Sequence, residues 1–261
     1  MTDVAFNTAS LVARFSGYRF RLHEWDEQER ISVDRTDEAE WRRICGEIAD
    51  AGFRTIEIWE AHASPHKLTA RTAGTWRTIF QDAGLEGIGY AGSFNSETVA
   101  VCEWLGITTI NGDTPLSVDE CSRLARSSGV QFNAENHPEK TPEELLARIG
   151  GRDPAEGLGI CIDTGWLGTR GADGPRFITA CMPWVRHVHL KDVTSAGRHD
   201  TCRLGSGVVD LVGCLRVLRD AGYRGTRAWE DEPEDRNPLE IAVESRIWIE
   251  EHLPEIPAET G

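Results

Sequence analysis

Several features that direct proteins to membranes, export or nucleic acids are missing from the 261 residues of this chain. The first twenty residues contain Asp3, Arg14 and Arg19 but no long apolar run, so neither a signal peptide nor a spanning helix is expected. Basic residues are in the minority, with 28 Lys and Arg against 43 Asp and Glu and a formal charge of −15. A negative field repels phosphate backbones and acidic lipids, so we expect no nucleic-acid or membrane partner.

Cysteine pairs with metal-binding spacing are also missing. None of the seven cysteines belongs to a C-x-x-C motif, which leaves no thiolate site of the zinc-finger kind. Most of them lie in apolar patterns that are typical of small buried residues. An odd number of cysteines fits a reducing compartment, so we expect a cytoplasmic protein.

Short apolar segments alternate with helical patterns along the whole chain, which predicts an α/β barrel. Gly52, Gly84, Gly106, Gly129 and Gly222 each end a helical pattern and precede an apolar residue that opens the next strand. We expect one (β/α)₈ TIM-barrel domain over residues 1–261, with a frayed tail at 254–261. The predicted strands cover residues 4–9, 54–60, 85–90, 107–111, 130–135, 158–163, 185–190 and 226–230.

Two connections are longer than the others, and both follow the C-terminal end of a predicted strand. They are the loops at residues 14–35 and 193–207. Loops on that face of a barrel build active sites, and loops of this length are uncommon without a function. The first is rich in aromatic and charged residues, so we expect a lid, a substrate wall or a surface for another subunit. A disordered, solvated loop is the alternative.

Acidic or histidine residues stand at the ends of the last four predicted strands. These are Glu135, Asp163, His189 and Glu230, at intervals of 28, 26 and 41 residues that suit one strand-helix-strand repeat each. Because barrel strands point their last residues into a shared mouth, we expect the four to bind one divalent cation at the C-terminal face. Three carboxylates and one imidazole favour Mn²⁺, with Co²⁺ or Mg²⁺ as alternatives, and leave positions for two substrate oxygens.

Strand alternation places further polar side chains inside the barrel. In V-R-H-V-H-L-K-D, the residues His187, His189 and Lys191 share one face, and the apolar residues between them share the other. We expect His187 to be a buried hydrogen-bonding partner and Lys191 to hold a substrate oxygen. By the same alternation Glu57 faces the axis, where its charge needs a partner and would orient other groups of the site.

Candidates for proton transfer lie close to these positions. His137 follows the proposed ligand Glu135, and an unperturbed imidazole with a pKa of about 6.5 can act as a general acid or base near pH 7. His62, just past the second strand, is a comparable candidate. Five residues could contact substrate, although packing is an equal alternative for the two tryptophans: Asn136, Trp59, Trp166, Glu57 and His187.

Several segments resemble the xylose-isomerase-like barrel superfamily of sugar phosphate isomerases and epimerases. They are A-E-N-H-P-E-K, C-I-D-T-G-W, H-V-H-L-K-D, L-G-S-G-V-V-D and G-Y-R-G-T-R-A-W-E-D-E-P-E-D, and the similarity covers about residues 40–250. The resemblance implies a (β/α)₈ barrel with Glu, Asp, His and Glu as metal ligands on the last four strands, matching Glu135, Asp163, His189 and Glu230. The first 35 residues depart from the usual short opening.

The resemblance also implies removal of a proton from the carbon next to a carbonyl of a keto sugar or oxidised glycoside. Expulsion of a β substituent would make the protein a lyase. Return of the proton would make it an isomerase or a ketose 3-epimerase, with Glu135 and Glu230 as the acid/base pair. The substrate implied is a small sugar or glycoside.

Nine tryptophans and the aromatic first loop favour the lyase, with a 3-oxo-glycoside, including a C-glycoside, that carries an aromatic aglycone. In this respect the chain resembles catalytic subunits of deglycosidases that work beside a small second subunit, which implies a hetero- or homo-oligomer. An apurinic-site endonuclease would need more metal-binding histidines and a basic groove, and the charge argues against it. A metal-binding scaffold would not need Lys191 and Glu57 inside the barrel.

Overall fold

The computed structural model describes residues 4–253, so the predicted frayed tail at 254–261 lies outside the described part of the chain. Eight parallel strands close into a barrel in the order β1-β10-β7-β6-β5-β4-β3-β2, and β8 and β9 form a separate antiparallel pair. The TIM barrel predicted from the sequence is confirmed, and every predicted strand overlaps an observed one. The strands are β1 (Ala5–Asn7), β2 (Thr55–Trp59), β3 (Glu86–Ala91), β4 (Thr109–Gly112), β5 (Gln131–Glu135), β6 (Leu158–Asp163), β7 (Val185–Leu190), β8 (Asp192–Val193), β9 (Thr201–Cys202) and β10 (Thr226–Trp229).

Helices surround the barrel, and glycines end several of them as the repeat predicts. Gly106 and Gly129 end the fourth and fifth helices in the left-handed conformation, with φ of 76° and 75°, which a side chain would disfavour. No helix within residues 4–253 combines the length and apolarity needed to cross a bilayer. The helices are α1 (Trp25–Arg35), α2 (Glu38–Asp50), α3 (Ala70–Asp82), α4 (Ser96–Leu105), α5 (Val118–Ser128), α6 (Pro142–Arg148), α7 (Thr164–Arg170), α8 (Gly174–Cys181), α9 (Leu211–Asp220) and α10 (Leu239–His252).

Alternation along the strands separates the core from the site. In β6, Ile160 and Ile162 join the apolar core, whereas Asp163 on the other face accepts a hydrogen bond from the backbone N–H of Trp166 at the mouth. All seven cysteines are free thiols, and only Cys202 is partly exposed, in agreement with the expectation of small buried residues. The strand ends therefore carry the polar residues, and the outward faces of the strands carry the core.

The first long connection is more ordered than the sequence predicts. Residues 14–35 were expected to form a loop, but α1 occupies Trp25–Arg35, and short 3₁₀ turns precede it. The helical pattern is weak in the sequence because the residues that α1 buries most deeply, Gln28 and Ser32, are polar. Trp25 packs on a small apolar cluster at the mouth that includes Phe20 and Trp59.

Ion pairs and backbone hydrogen bonds fasten this connection to the barrel. Arg14 is mostly buried and binds the carboxylate of Glu47 at 2.6 Å. At the other side of the mouth, the Leu22 backbone N–H donates to Glu234 at 2.8 Å. Residues 14–35 therefore form a wall of the barrel mouth, and the alternative of a disordered loop is wrong. The second predicted loop, residues 193–207, contains β9, which pairs with β8.

Candidate metal centre and active site

The four predicted ligands come together at the mouth of the barrel. One side-chain oxygen or nitrogen from each of Glu135, Asp163, His189 and Glu230 lies within 4.8 Å of the others, and all four residues are buried. Nδ1 of His189 is 2.9 Å from Oε1 of Glu135 and 3.0 Å from Oε2 of Glu230. Their strands β5, β6, β7 and β10 are adjacent in the barrel, which is why residues far apart in sequence converge here.

Two oxygens of this cluster fit a cation. Oδ2 of Asp163 and Oε2 of Glu230 are buried and accept no hydrogen bond in good geometry. His189 and Lys191 lie 2.9–3.3 Å from these oxygens without good hydrogen-bond alignment, so each oxygen keeps capacity for a further partner, and a divalent cation would satisfy both. Three carboxylates and one imidazole are a donor set that suits Mn²⁺, Mg²⁺ or Co²⁺. The residues therefore fit a divalent metal, without selecting one ion.

Lys191 is engaged by the protein itself. Its Nζ lies 2.8 Å from Glu232, 2.9 Å from Asp163 and 3.3 Å from Glu230. Burial opposes the charge, but these carboxylates raise the pKa of Lys191 well above its usual range. The side chain is 1% exposed and does not line the cavity, so the structure does not support the expectation that it holds a substrate oxygen. It balances acidic groups instead.

Glu57 and His187 lie one layer deeper than the ligands. Oε2 of Glu57 is 2.9 Å from Nε2 of His189 and 3.1 Å from Nε2 of His187, and Oε1 accepts a hydrogen bond from Asn111 at 2.6 Å. His187 also contacts the hydroxyl of Thr226 at 2.6 Å. Both residues were candidates for substrate contact, but neither lines the cavity. Their contacts orient His189, as expected of the inward carboxylate at position 57.

Asn136 and His62 do not reach the cavity either. The amide of Asn136 is used up in two hydrogen bonds with the backbone of Asp163, at 2.8 and 3.0 Å, which tie the ends of β5 and β6 together. His62 is 2% exposed, contacts the Thr8 hydroxyl at 3.0 Å and packs edge-on against Trp59. Burial lowers the pKa of His62 to about 3, so this ring is neutral and packed away from the cluster.

His137 is the histidine that the structure brings to the cavity beside the cluster. Its Nε2 is 3.4 Å from Oε1 of Glu135, and its ring meets Trp166 edge-on at 5.6 Å. Burial opposes protonation, but the charge of Glu135 and the hydrogen bond to it raise the pKa of His137 to about 9. An imidazole at this position can exchange a proton with a ligand in the cavity.

A cavity of about 520 Å³ lies over the cluster. One side is formed by the ligand strands and the residues after them, and the other by α1 and the segments that follow β2, β3 and β4. Trp59 and Trp166, two of the predicted substrate contacts, stand on opposite sides of it. The polar and aromatic side chains that line the cavity are Trp25, Glu29, Trp59, Glu60, Ser93, Asn111, Asp113, Glu135, His137, Trp166, His189, Glu230 and Glu232.

Two residues of the site were missed in the sequence. Glu232 lines the cavity and accepts from Lys191, and it could have been found, because it lies two residues after Glu230 and an inward lysine requires an acidic partner. His199 stacks on Trp166 with ring centroids 3.9 Å apart. It comes from the connection before β9, where no periodic pattern reports the direction of a side chain.

The glycine-rich turn at residues 203–210 binds the carboxylate of Asp192, a residue earlier in the chain. The backbone N–H groups of Gly205, Gly207 and Val209 donate to Asp192 at 3.0, 2.9 and 3.1 Å. These amides are the groups that would bind a phosphate in a cradle of this kind. Because Asp192 satisfies them, the turn offers no free amides for a phosphate.

Curated relatives match part of the chain. An inosose dehydratase from Geobacillus thermodenitrificans is 28% identical over 163 residues, which cover 52% of this chain and 53% of the relative. An inosose dehydratase from Lactiplantibacillus plantarum is 24% identical over an alignment of 273 positions, gaps included, that covers 82% of this chain and 89% of the relative. In the matches to the Geobacillus and Klebsiella relatives, the chain spans about half of their length.

Solved structures share the fold. An L-ribulose 3-epimerase superimposes with a TM-score of 0.68 at 18% identity, over 97% of this chain and 95% of that one. A xylose isomerase-like barrel protein from Mycobacterium smegmatis in complex with magnesium superimposes with a TM-score of 0.69 at 18% identity, over 87% and 92%. The family model described as "Xylose isomerase-like TIM barrel" matches residues 117–252, just over half of the chain. The chain therefore belongs to the xylose isomerase-like TIM-barrel family.

Proposed function

We propose that the protein is a divalent-metal-dependent lyase that acts next to a carbonyl of a sugar or cyclic polyol. The observation that carries the proposal is the cluster of Glu135, Asp163, His189 and Glu230, which faces a large cavity and has His137 beside it. The name of the curated relatives, inosose dehydratase, supports elimination as the reaction class.

The proposed metal ligands are the four residues of the cluster. When bound there, the cation would act as a Lewis acid toward substrate oxygens and stabilise negative charge that develops on the carbonyl oxygen. Glu57 holds His189 from below through a 2.9 Å contact, which fixes the orientation of this ligand.

The proton-transfer roles follow from the surroundings of each group. We assign proton abstraction from the carbon next to the carbonyl to Glu230, because its carboxyl group lines the cavity and burial raises its pKa, which makes its ionised form the stronger base of the two glutamates in the cluster. As the C–O bond to the leaving group breaks, His137 donates its proton to the departing oxygen, and water or an alcohol leaves.

The finer proposal is that the substrate is a 3-oxo-glycoside with an aromatic aglycone. The 3-carbonyl acidifies the proton at C2, and the group at C1 is then expelled. The tryptophans on both sides of the cavity, Trp59 and Trp166, support an aromatic leaving group. The alternative is a sugar isomerase or ketose 3-epimerase, which the placement of two carboxylates, Glu135 and Glu230, in one cluster supports.

The experiment that tests the proposal is NMR spectroscopy of the metal-loaded protein in deuterated water. Substrates are a keto-inositol, a 3-oxo-glycoside with a phenolic aglycone, its unoxidised parent glycoside, and a panel of free ketoses. A lyase releases water or the phenol from a keto substrate and leaves the unoxidised glycoside intact. Efficient interconversion of ketoses without any elimination would replace the lyase by the isomerase. Full turnover after exhaustive chelation, with metal content checked by elemental analysis, would refute the metal-dependent reaction.

A further inference from the structure

The side of the cavity opposite the ligand strands has an aromatic and acidic wall of its own. Trp25 and Glu29 come from α1, and Trp59 and Glu60 stand at the end of β2. The rings of Trp25 and Trp59 meet edge-on with centroids 5.4 Å apart. None of these residues belongs to the metal cluster, and the proposed reaction assigns none of them a step.

We propose that Trp25, Glu29, Trp59 and Glu60 form a distal subsite for the part of the substrate farthest from the metal cluster, and that this part is an uncharged ring bearing hydroxyl groups. The inference rests on the proposed function, since it names the substrate class of the same cavity. Indole rings present apolar surface to a ring-shaped ligand, and carboxylates accept hydrogen bonds from its hydroxyl groups.

The position of Glu60 is fixed by its surroundings. Its Oε2 accepts a hydrogen bond from the backbone N–H of Ser93 at 2.8 Å. A side chain at Gly92 would collide with this carboxylate, because a Cβ there would lie 2.5 Å from the same oxygen. The absence of a side chain at Gly92 thus lets the Glu60 carboxyl group lie close to the backbone. Its Oε2 is fixed there by Ser93, and its Oε1 remains for a ligand. Such preorganisation lowers the entropic cost of binding.

The second carboxyl group of the subsite, that of Glu29, also has a raised pKa. Burial raises the pKa of Glu29, and the charge of Glu60 adds to the effect. Burial also raises the pKa of Glu60. Two carboxyl groups that are reluctant to be charged together favour a ligand with neutral hydroxyl groups, which can donate to one carboxyl and accept from the other.

Anionic ligands are disfavoured on the distal side of the cavity. Within residues 4–253, no lysine or arginine lines it. Lys191 is occupied by three carboxylates, and the glycine-rich turn is filled by Asp192. Arg170 approaches the rim, where it lies over Trp166 at 5.9 Å, but it already donates to the backbone carbonyl of His137 at 3.1 Å. A phosphorylated sugar would meet mainly carboxylates on the distal side.

The size of the cavity agrees with a ligand of two parts. A volume of about 520 Å³ lies within the roughly 300–1,000 Å³ of pockets that bury drug-sized ligands, which are larger than one sugar ring. A ring placed over the metal cluster therefore leaves space toward α1. Two kinds of group provide such a hydroxylated ring, namely a phenolic aglycone and a second sugar.

The test measures binding of unreacted glycosides to the manganese-loaded protein by isothermal titration calorimetry. The ligands are methyl, phenyl and 4-hydroxyphenyl β-D-glucoside, cellobiose, and the 6-phosphate of the methyl glucoside. The 4-hydroxyphenyl glucoside is expected to bind about 10-fold more tightly than the methyl glucoside, since its ring adds contact with the indoles and its hydroxyl group adds a hydrogen bond to a carboxyl group. Tighter binding of cellobiose than of the phenol would identify a second sugar as the distal ring, and either result supports the subsite.

Variants separate the subsite from the rest of the cavity. Glu29→Ala and Trp25→Ala are each expected to remove about 10-fold of the affinity for the preferred two-ring ligand, with little change for methyl glucoside. Glu27→Ala is the matched control, because Glu27 is an exposed acid on the same helix that does not line the cavity. Thermal melting checks that each variant is folded, and Glu29→Gln provides a milder change that keeps the size of the side chain.

The outcomes that overturn the proposal are distinct. Equal affinities for methyl and two-ring glycosides, unchanged by Glu29→Ala, refute the distal subsite and leave the proposed reaction standing. Tightest binding of the 6-phosphate refutes the preference for a neutral ligand. Absence of binding by every glycoside to protein that holds its manganese refutes the subsite, whereas turnover of a keto substrate in the NMR experiment decides the proposed function separately.

Discussion

The two halves of the barrel contribute different kinds of side chain to one cavity. The strands β5, β6, β7 and β10 supply all four proposed metal ligands, and the family model covers this half of the chain, residues 117–252. The strands β1 to β4 supply none of them, but α1 and the turn after β2 add tryptophans and carboxyl groups to the opposite wall. The proposed reaction chemistry thus lies on one side of the cavity, and the proposed selection of the ligand lies on the other.

Charge compensation also differs between the two halves. The acids of the second half are surrounded by His189 and Lys191, which hold protons through several short contacts. Glu29 and Glu60 in the first half have no such cation, and burial raises the pKa of both. A metal cation is expected to bind on the second side because four donor atoms converge there, and a neutral ligand is expected on the first.

The largest expected effect follows from the loss of one ligand in the second half. Asp163→Asn removes the charge that holds the ion but keeps Oδ1, which accepts the Trp166 backbone N–H at 2.9 Å, so the start of α7 should persist. Elemental analysis should show metal occupancy reduced by at least about 10-fold, and circular dichroism should show an intact barrel. Asp113→Asn, at the cavity wall outside the cluster, is the control. Unchanged occupancy in Asp163→Asn would remove this residue from the ligand set.

The next effect separates proton transfer from metal binding within the second half. His137→Ala should keep the metal and lower kcat by about 10²–10⁴, the usual contribution of a positioned acid or base. His189→Ala should lose the metal as well, because its nitrogen is part of the cluster. Steady-state kinetics beside metal analysis distinguishes the two. Normal turnover of His137→Ala would leave Glu135 and Glu230 as the only candidates for proton transfer among the residues of the cluster.

Replacement of Lys191 is expected to have a smaller effect on metal binding, which should become tighter and not weaker. Replacing it by methionine removes a buried positive charge that lies 2.9 Å from Asp163 and 3.3 Å from Glu230. Because like charges repel across a few ångströms, Lys191→Met should bind Mn²⁺ more tightly, by about 10-fold, in competition with a chelator. Weaker binding would show that Lys191 chiefly positions the carboxylates. A parallel Glu232→Gln variant tests whether the lysine moves closer to the ligands when its other partner is weakened.

The smallest effect concerns His62 and the pH dependence of stability in the first half. Its pKa is about 3 in the folded protein and about 6.5 in the unfolded chain, so the unfolded state binds one more proton between these values. Stability contributed at this position is present above pH 6.5 and is lost as the pH falls. Between pH 7 and pH 4.5, the free energy of unfolding should therefore fall by about 2–3 kcal/mol less in His62→Gln than in the parent protein. Equal losses in urea titrations would mean that His62 can be protonated in the folded state.

The strands and the ligand cluster could be predicted because alternation is a strong signal. Once β7 was placed, the period of two put His187, His189 and Lys191 on one face, and the structure agrees. Alternation shows which face of a strand a side chain occupies but not how deeply it is buried, so it could not show that neighbouring side chains cover Lys191 and Glu57. Proximity to a strand end failed for His62, because the 3₁₀ turn Glu60–His62 redirects the chain after β2.

The first connection was harder to predict because its packing is unusual. A helix is normally recognised by an apolar stripe, whereas α1 buries Gln28 and Ser32 and rests Trp25 on an apolar cluster supplied by other segments. The distal wall was therefore visible in the sequence only as an excess of aromatic residues. Its acidic members, Glu29 and Glu60, carry no local signal that separates them from solvated glutamates.

The contacts of Glu57 make completion of the metal centre depend on how far the barrel has folded. It belongs to β2, yet it contacts His187 and His189 of β7 across the barrel interior. These contacts form only when strands from both ends of the sequence are in place, so a fragment with residues 117–252 contains every proposed ligand but lacks the carboxylate that orients His189. Metal uptake during refolding should therefore lag behind helix formation and report the closure of the barrel. A chimaera with a foreign N-terminal half would recover the centre only if that half presents an acid at the position of Glu57.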